Sequence, residues 1–153
     1  ELRDCIGALQ LLHDNGLCHG DIRNDHILID QDTGCYRWID FDLKQDFSDL
    51  DIWSLGNILQ FAVGMGMRTF TEACADNLYP PSVCDSLCAD DASAFYQHRI
   101  MNLQKLFPYI PDRLNDILMH FSINTTRFYT TISEIVADID AVLEELAGAE
   151  QKR

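Results

Sequence analysis

A polar segment, residues 19–25, separates an apolar stripe of helical period from two short runs of strand-forming residues. Leu2, Cys5, Ile6, Leu9 and Leu12 follow the i, i+3, i+4, i+7 spacing of one helix face, and Gly16 stops the pattern after Asn15. Beyond the polar segment, His26-Ile27-Leu28-Ile29 and Cys35-Tyr36-Arg37-Trp38-Ile39 favour strands, and Asp30-Gln31-Asp32-Thr33-Gly34 supplies a turn to join them as a hairpin. A polar loop wedged between apolar elements is where a scaffold positions reactive groups. Because a hairpin brings its two ends together, Asp21 and Asp25 before it are expected close to Asp40 and Asp42 after it. Gathered carboxylates repel one another unless a cation sits among them. An oxygen-rich set of this kind favours Mg2+ or Mn2+ over zinc.

Further on, Ser48-Asp49-Leu50-Asp51 reads as a helix N-cap with an acid three residues later, opening a helix over 50–63. Trp53, Leu55, Ile58 and Leu59 are its expected core residues. Residues 64–92 hold Gly64, Gly66, Pro80, Pro81 and several aspartates, which predicts a long irregular connection with one short turn of helix. Helical spacing resumes over 94–106, 112–121 and 132–146, with Pro111 leading into the second of these. The expected fold is mainly α with a small β-hairpin. One domain is expected over 1–148, followed by a tail over 149–153.

The length, 153 residues, is one domain's worth of chain, and 47% apolar residues suffice for a packed core. Eleven Lys and Arg against 25 Asp and Glu leave a net charge of −14, which repels phosphate backbones and anionic lipid heads. Nucleic acid and membrane surfaces are therefore not expected partners. The chain opens on Glu1 and not on Met, as expected of a piece of a longer polypeptide. Cys5, Cys18 and Cys35 lie in apolar stretches and read as small buried hydrophobes. Cys74, Cys84, Cys88 and His98 lack the C-x-x-C spacing of a zinc site, so reduced thiols in a cytoplasmic protein are expected. His13, His98 and His120 are expected to be surface or packing residues.

With these motifs in order, the sequence resembles the protein-kinase-like superfamily, and in particular its C-terminal lobe. His19-Gly20-Asp21-Ile22-Arg23-Asn24-Asp25-His26 falls into the frame of the H-R-D-L-x-x-x-N catalytic loop, and Asp40-Phe41-Asp42 into that of D-F-G. Asp51-Ile52-Trp53-Ser54-Leu55-Gly56 is similar to the family's D-x-W-S-L-G helix start. The resemblance implies that Asp21 is the catalytic carboxylate that orients the attacking hydroxyl and accepts its proton. It implies that Arg23 contacts the γ-phosphate in a catalytic and ATP-binding role, and that Asp40 binds the metal carried with ATP. His26 occupies the place of the family's metal-binding Asn, so it is the implied second metal ligand and nucleotide-site residue. An imidazole there shifts the preference from Mg2+ toward Mn2+. Asp51 would hold the catalytic loop from below.

The departures from the family pattern bear on substrate and activity. Gly20 replaces the Arg that meets a phosphorylated activation loop, and Asp42 replaces the Gly of D-F-G, as in aminoglycoside and other small-molecule kinases. The few residues from Asp42 to Asp51 leave no room for an activation segment, the platform on which protein kinases lay peptides. The glycine-rich loop and the β-strand lysine of the family would lie upstream. The resemblance thus implies the C-lobe of an atypical ATP-dependent kinase, acting on a hydroxyl acceptor and dependent on an upstream N-lobe, and inactive as the isolated chain. The alternative is a pseudokinase lobe retained as a binding or scaffold module.

Overall fold

The computed structural model describes residues 1–43, 48–75 and 78–150. The fold is mainly helical with one two-stranded antiparallel sheet. In chain order the elements are α1 (Leu2–Asp14), β1 (Ile27–Ile29), β2 (Tyr36–Trp38), α2 (Ser48–Val63), α3 (Phe70–Ala75), α4 (Pro81–Ser86), α5 (Asp112–Met119) and α6 (Ile132–Glu150). Short 3-10 turns occupy Asn24–His26, Ala89–Asp91 and Leu103–Lys105. These elements form two compact units, one made of residues 1–55 and 129 onward, the other of Gly56–Phe128. No helix among the described residues is long and apolar enough to cross a membrane. Of the tail expected over 149–153, Ala149 and Glu150 continue α6, and 151–153 lie outside the described residues.

In the first unit α1 packs against α6 and β2. The helical stripe predicts this face well: Cys5, Ile6 and Leu9 are buried, as are Ile132, Ile135, Val136 and Val142 of α6. Arg3 clamps the two helices through a bidentate pair with Asp140, both N–O distances being 2.6 Å. A reciprocal capping box opens α6, in which the Thr131 hydroxyl accepts from the Glu134 N–H and the Glu134 carboxylate accepts from the Thr131 N–H. The hairpin pairs Ile27 with Trp38, Leu28 with Arg37 and Ile29 with Tyr36. Its turn is an Asx-type device, with the Asp30 carboxylate accepting from the N–H groups of Asp32 and Thr33. Buried Trp38 fastens the hairpin to α1 by donating its indole N–H to the Cys5 carbonyl at 2.7 Å. Cys35 is only half-buried, because the strand it was expected to join begins one residue later.

The second unit departs furthest from the sequence pattern. The connection over 64–92 holds two short helices, α3 and α4, where one turn was expected. The helix expected over 94–106 is absent. The chain there bends and turns over 94–98, is extended only around the bridges Thr69–Arg99 and Ala92–Ile100, and then makes the 3-10 turn Leu103–Lys105. Its apolar residues do not share one helical face: consecutive Ile100 and Met101 are both fully buried, so an extended segment covered on both sides is the better solution. The Ile100 and Met101 N–H groups accordingly donate to the carbonyls of Arg68 and Asp91. The buried Asp91 carboxylate fixes that segment by accepting from Lys105, Asn102 and the Cys88 N–H.

Gly56, where α2 enters this unit, faces the Phe121 ring so closely that an added Cβ would lie 2.5 Å from it. We expect Gly56→Ala to lower stability by about 1–3 kcal/mol through overpacking, outweighing the gain in helix propensity. Urea denaturation checks this, and Gly56→Ala combined with Phe121→Leu should recover part of the loss.

Candidate active site

The site is built on a carboxylate. Asp51, in the first turn of α2, is 1% exposed. One of its oxygens accepts the N–H of His19 at 2.7 Å, and the other accepts the N–H of Gly20 at 2.9 Å. His13 Nε2, from the last turn of α1, lies 2.9 Å from the same carboxylate. The end of α1, the polar loop and the start of α2 are thereby tied to one point. Gly20 has φ of +83°, a conformation that side chains disfavour, so the loop can turn there to present both N–H groups.

His19 carries the loop's grip on the segment after the hairpin. Its ring is fully buried, with centroids 4.5 Å from Phe41 and 5.2 Å from Trp38. Its carbonyl accepts from the Asp42 and Leu43 N–H groups, and its Nδ1 lies 3.3 Å from the Asp21 N–H. Burial pushes the His19 imidazole below its ordinary pKa, against a smaller upward pull from Asp51.

Asp21, His26 and Asp40 meet beyond this anchor. His26, which ends the 3-10 turn before β1, sets Nδ1 2.9 Å from the Asp21 carbonyl and 3.5 Å from its carboxylate. Its Nε2 lies 3.9 Å from the Asp40 carboxylate. A carbonyl only accepts, so Nδ1 donates to it, and Nε2 is the ring atom that faces Asp40. Asp40 itself has φ of +58°, a conformation sparsely used by residues other than glycine and one that turns the chain directly after β2. The Asp21 and Asp40 side chains are 50% and 70% exposed, whereas that of His26 is 12% exposed. Two open carboxylates therefore flank one sheltered imidazole.

The structure thus brings together Asp21, His26 and Asp40, but not as four acids around a common centre. Asp21 stands on the Nδ1 side of the ring and Asp40 on the Nε2 side. Arg23 and Asp25 form an exposed bidentate pair at 2.9 and 2.6 Å, and this pairing holds the Asp25 carboxyl below its ordinary pKa. Asp42 is exposed and is fixed by its backbone to His19. Residues 44–47, which belong to the shortened segment before α2, lie outside the described residues.

Two contributors escaped the sequence reading. His13, expected to be surface or packing, is a direct partner of Asp51, and His19 is the packing centre under Phe41. The available signal was Asp51 itself, because a carboxylate three residues into an apolar helix start must find donors if buried. Among the described residues one grouping of His, Cys and acid has the compactness of a metal set: His13, Cys18 and Asp51, within 4.8 Å of one another. Both Asp51 oxygens there already accept N–H donors, which accounts for the cluster without an ion. Cys74, Cys84, Cys88 and His98 do not form such a grouping. The chain matches no protein-family model, no curated protein and no solved structure.

Asp51→Ala should cost about 3 kcal/mol in urea unfolding, since it strands two backbone N–H groups and the His13 donor. Stability should also fall as pH drops below about 6.5, because the unfolded chain binds the His19 proton more tightly than the folded one. His19→Phe should flatten that fall when urea midpoints are compared between pH 8 and pH 5.5.

Proposed function

We propose that this chain is the C-lobe of an atypical ATP-dependent kinase, a phosphotransferase to a hydroxyl acceptor that is completed by an upstream N-lobe. The observation that carries the reading is the facing of His26 Nε2 and the Asp40 carboxylate across 3.9 Å. That span is too long for a hydrogen bond. It is within reach of a divalent cation that bonds to both at about 2.0–2.2 Å. Nitrogen in the donor set favours Mn2+ beside Mg2+. Such a cation, carried with ATP, supplies charge neutralisation at the transferring phosphate.

The chain's own groups then divide the remaining work. Asp21, open to solvent and steadied through His26, is disposed to orient an acceptor hydroxyl and take its proton. Its contribution is chiefly position, because the transition state of phosphoryl transfer is loose. Asp51 supports it indirectly by fixing the loop backbone. Arg23 is the cation available to the phosphate, and engaging it means leaving Asp25. An exposed pair of that kind holds only weakly in water. The cytoplasm, where ATP and reduced thiols coexist, is the setting this reading implies. The Arg23–Asp25 pair is also what favours the second reading, a pseudokinase lobe whose phosphate-binding cation has been internally neutralised.

With the N-lobe present, ATP and Mn2+ together should raise the melting temperature, and Asp40→Ala should abolish the metal-dependent part. Asp21→Asn should retain binding while turnover falls at least about 100-fold. His26→Asn should match or exceed wild-type activity with Mg2+. A melting temperature indifferent to millimolar ATP with either metal defeats the proposal, and binding without wild-type turnover selects the pseudokinase reading.

A further inference from the structure

The second unit carries a pair of cysteines that the phosphotransfer reading does not use. α3 and α4 pack on one another, and each contributes a thiol near their contact. Cys84 Sγ, half-buried, donates to the carbonyl of Ala73 at 3.4 Å, the residue directly before Cys74. Cys74, next in the chain after that carbonyl, is exposed to solvent on the same face of the α3–α4 contact. The other cysteines are differently disposed. Cys5 and Cys18 are buried, and burial pushes the Cys5 thiol up to about 11. Cys88, though exposed, stands at the N-cap of the turn at Ala89–Asp91, its backbone N–H donating to the Asp91 carboxylate.

We propose that Cys74 and Cys84 are a reversible redox pair, closing a disulfide that staples α3 to α4. The oxidant class is a small-molecule disulfide such as oxidised glutathione. The exposed Cys74, as thiolate, attacks one sulfur of that disulfide, forming a mixed disulfide and expelling one glutathione thiolate. Cys84 then loses its proton and attacks the Cys74 sulfur, forming the Cys74–Cys84 bond and expelling the second glutathione thiolate. The sum is two protein thiols and one glutathione disulfide giving one protein disulfide and two glutathione thiols. The neighbouring Cys74, ahead of partial burial, raises the Cys84 thiol, so the exposed Cys74 is the better placed of the two to react first. The bond would close a short loop across the connection between α2 and the buried segment of Ile100 and Met101. It therefore restricts the unfolded chain and stiffens a part of the unit built from two short helices.

Disulfide mapping on the full chain tests this. The protein is equilibrated with oxidised glutathione, its free thiols are alkylated, and it is digested with an endoproteinase that cleaves before aspartate. Cuts before Asp76 and Asp85 place Cys74, Cys84 and Cys88 on three separate peptides. The expected result is a linked pair joining the Cys74 and Cys84 peptides, reversed by reduced glutathione, with the melting temperature of the oxidised protein higher by about 5 °C. In Cys74→Ser the linked pair and the shift should both vanish. Separate glutathione adducts at Cys74 and Cys84 without a link, or a link that joins either one to Cys88, overturns the proposal. Because the mapping is done on the wild-type chain, a poorly folded serine variant does not weaken it.

Discussion

The buried carboxylate of Asp51 is the constraint on which the rest of the site depends. Taking a carboxylate out of water costs several kcal/mol unless it is matched by donors. Here the match is made by two consecutive backbone N–H groups and a histidine from another helix. Those donors belong to the loop that carries Asp21. The cost of burying the charge thus becomes a restraint on the loop, since any rearrangement that frees the N–H groups also strands the carboxylate. Helix α2 is the foundation, and its burial against the core holds Asp51 still.

From that anchor the order of the site follows by short links. His19 gives its N–H to Asp51, its carbonyl to the segment after the hairpin, and its ring to Phe41 and Trp38. Trp38 in turn is fastened to α1 through Cys5. The hairpin is only three residues per strand, too short to be stable alone, and it is held by this packing. Asp40 leaves the hairpin with positive φ, which sends its carboxylate toward His26 and not along the strand direction. A strained backbone at an exposed acid is tolerated where its surroundings are so thoroughly fixed.

The second unit solves the same physical problem in the same way. Burial alone would raise the Asp91 carboxyl, but the Lys105 ammonium, the Cys88 N–H and the Asn102 amide outweigh it and hold the group below its ordinary range. Asn102 is itself held by Asn115 of α5, so a chain of polar contacts runs from the 3-10 turn to the helix. This network, and not local helix propensity, sets the course of residues 100–105. It explains why the apolar spacing over 94–106 misleads: Ile100, Met101, Leu103 and Leu106 are buried while Phe95 and Tyr96 are exposed, a division set by several partners and not by one helical face.

What the sequence determined by itself were the elements marked by local spacing, turn residues and caps: α1, the hairpin, α2 as a helix ending at Val63, α5 and α6. It also determined which polar segment would lie between α1 and the hairpin, and that Asp21 and Asp40 would fall at its two ends. Local rules suffice there, because spacing, turn residues and caps act within a few positions of one another. Only the tertiary structure decided that a histidine stands between those two acids, that Asp25 is taken up by Arg23, and that His13 serves Asp51 from 38 residues away. Each of these depends on which donor happens to face which acceptor once the core has closed. A sequence pattern records side-chain type and spacing, but not direction, and direction is what assigned every partner in the site.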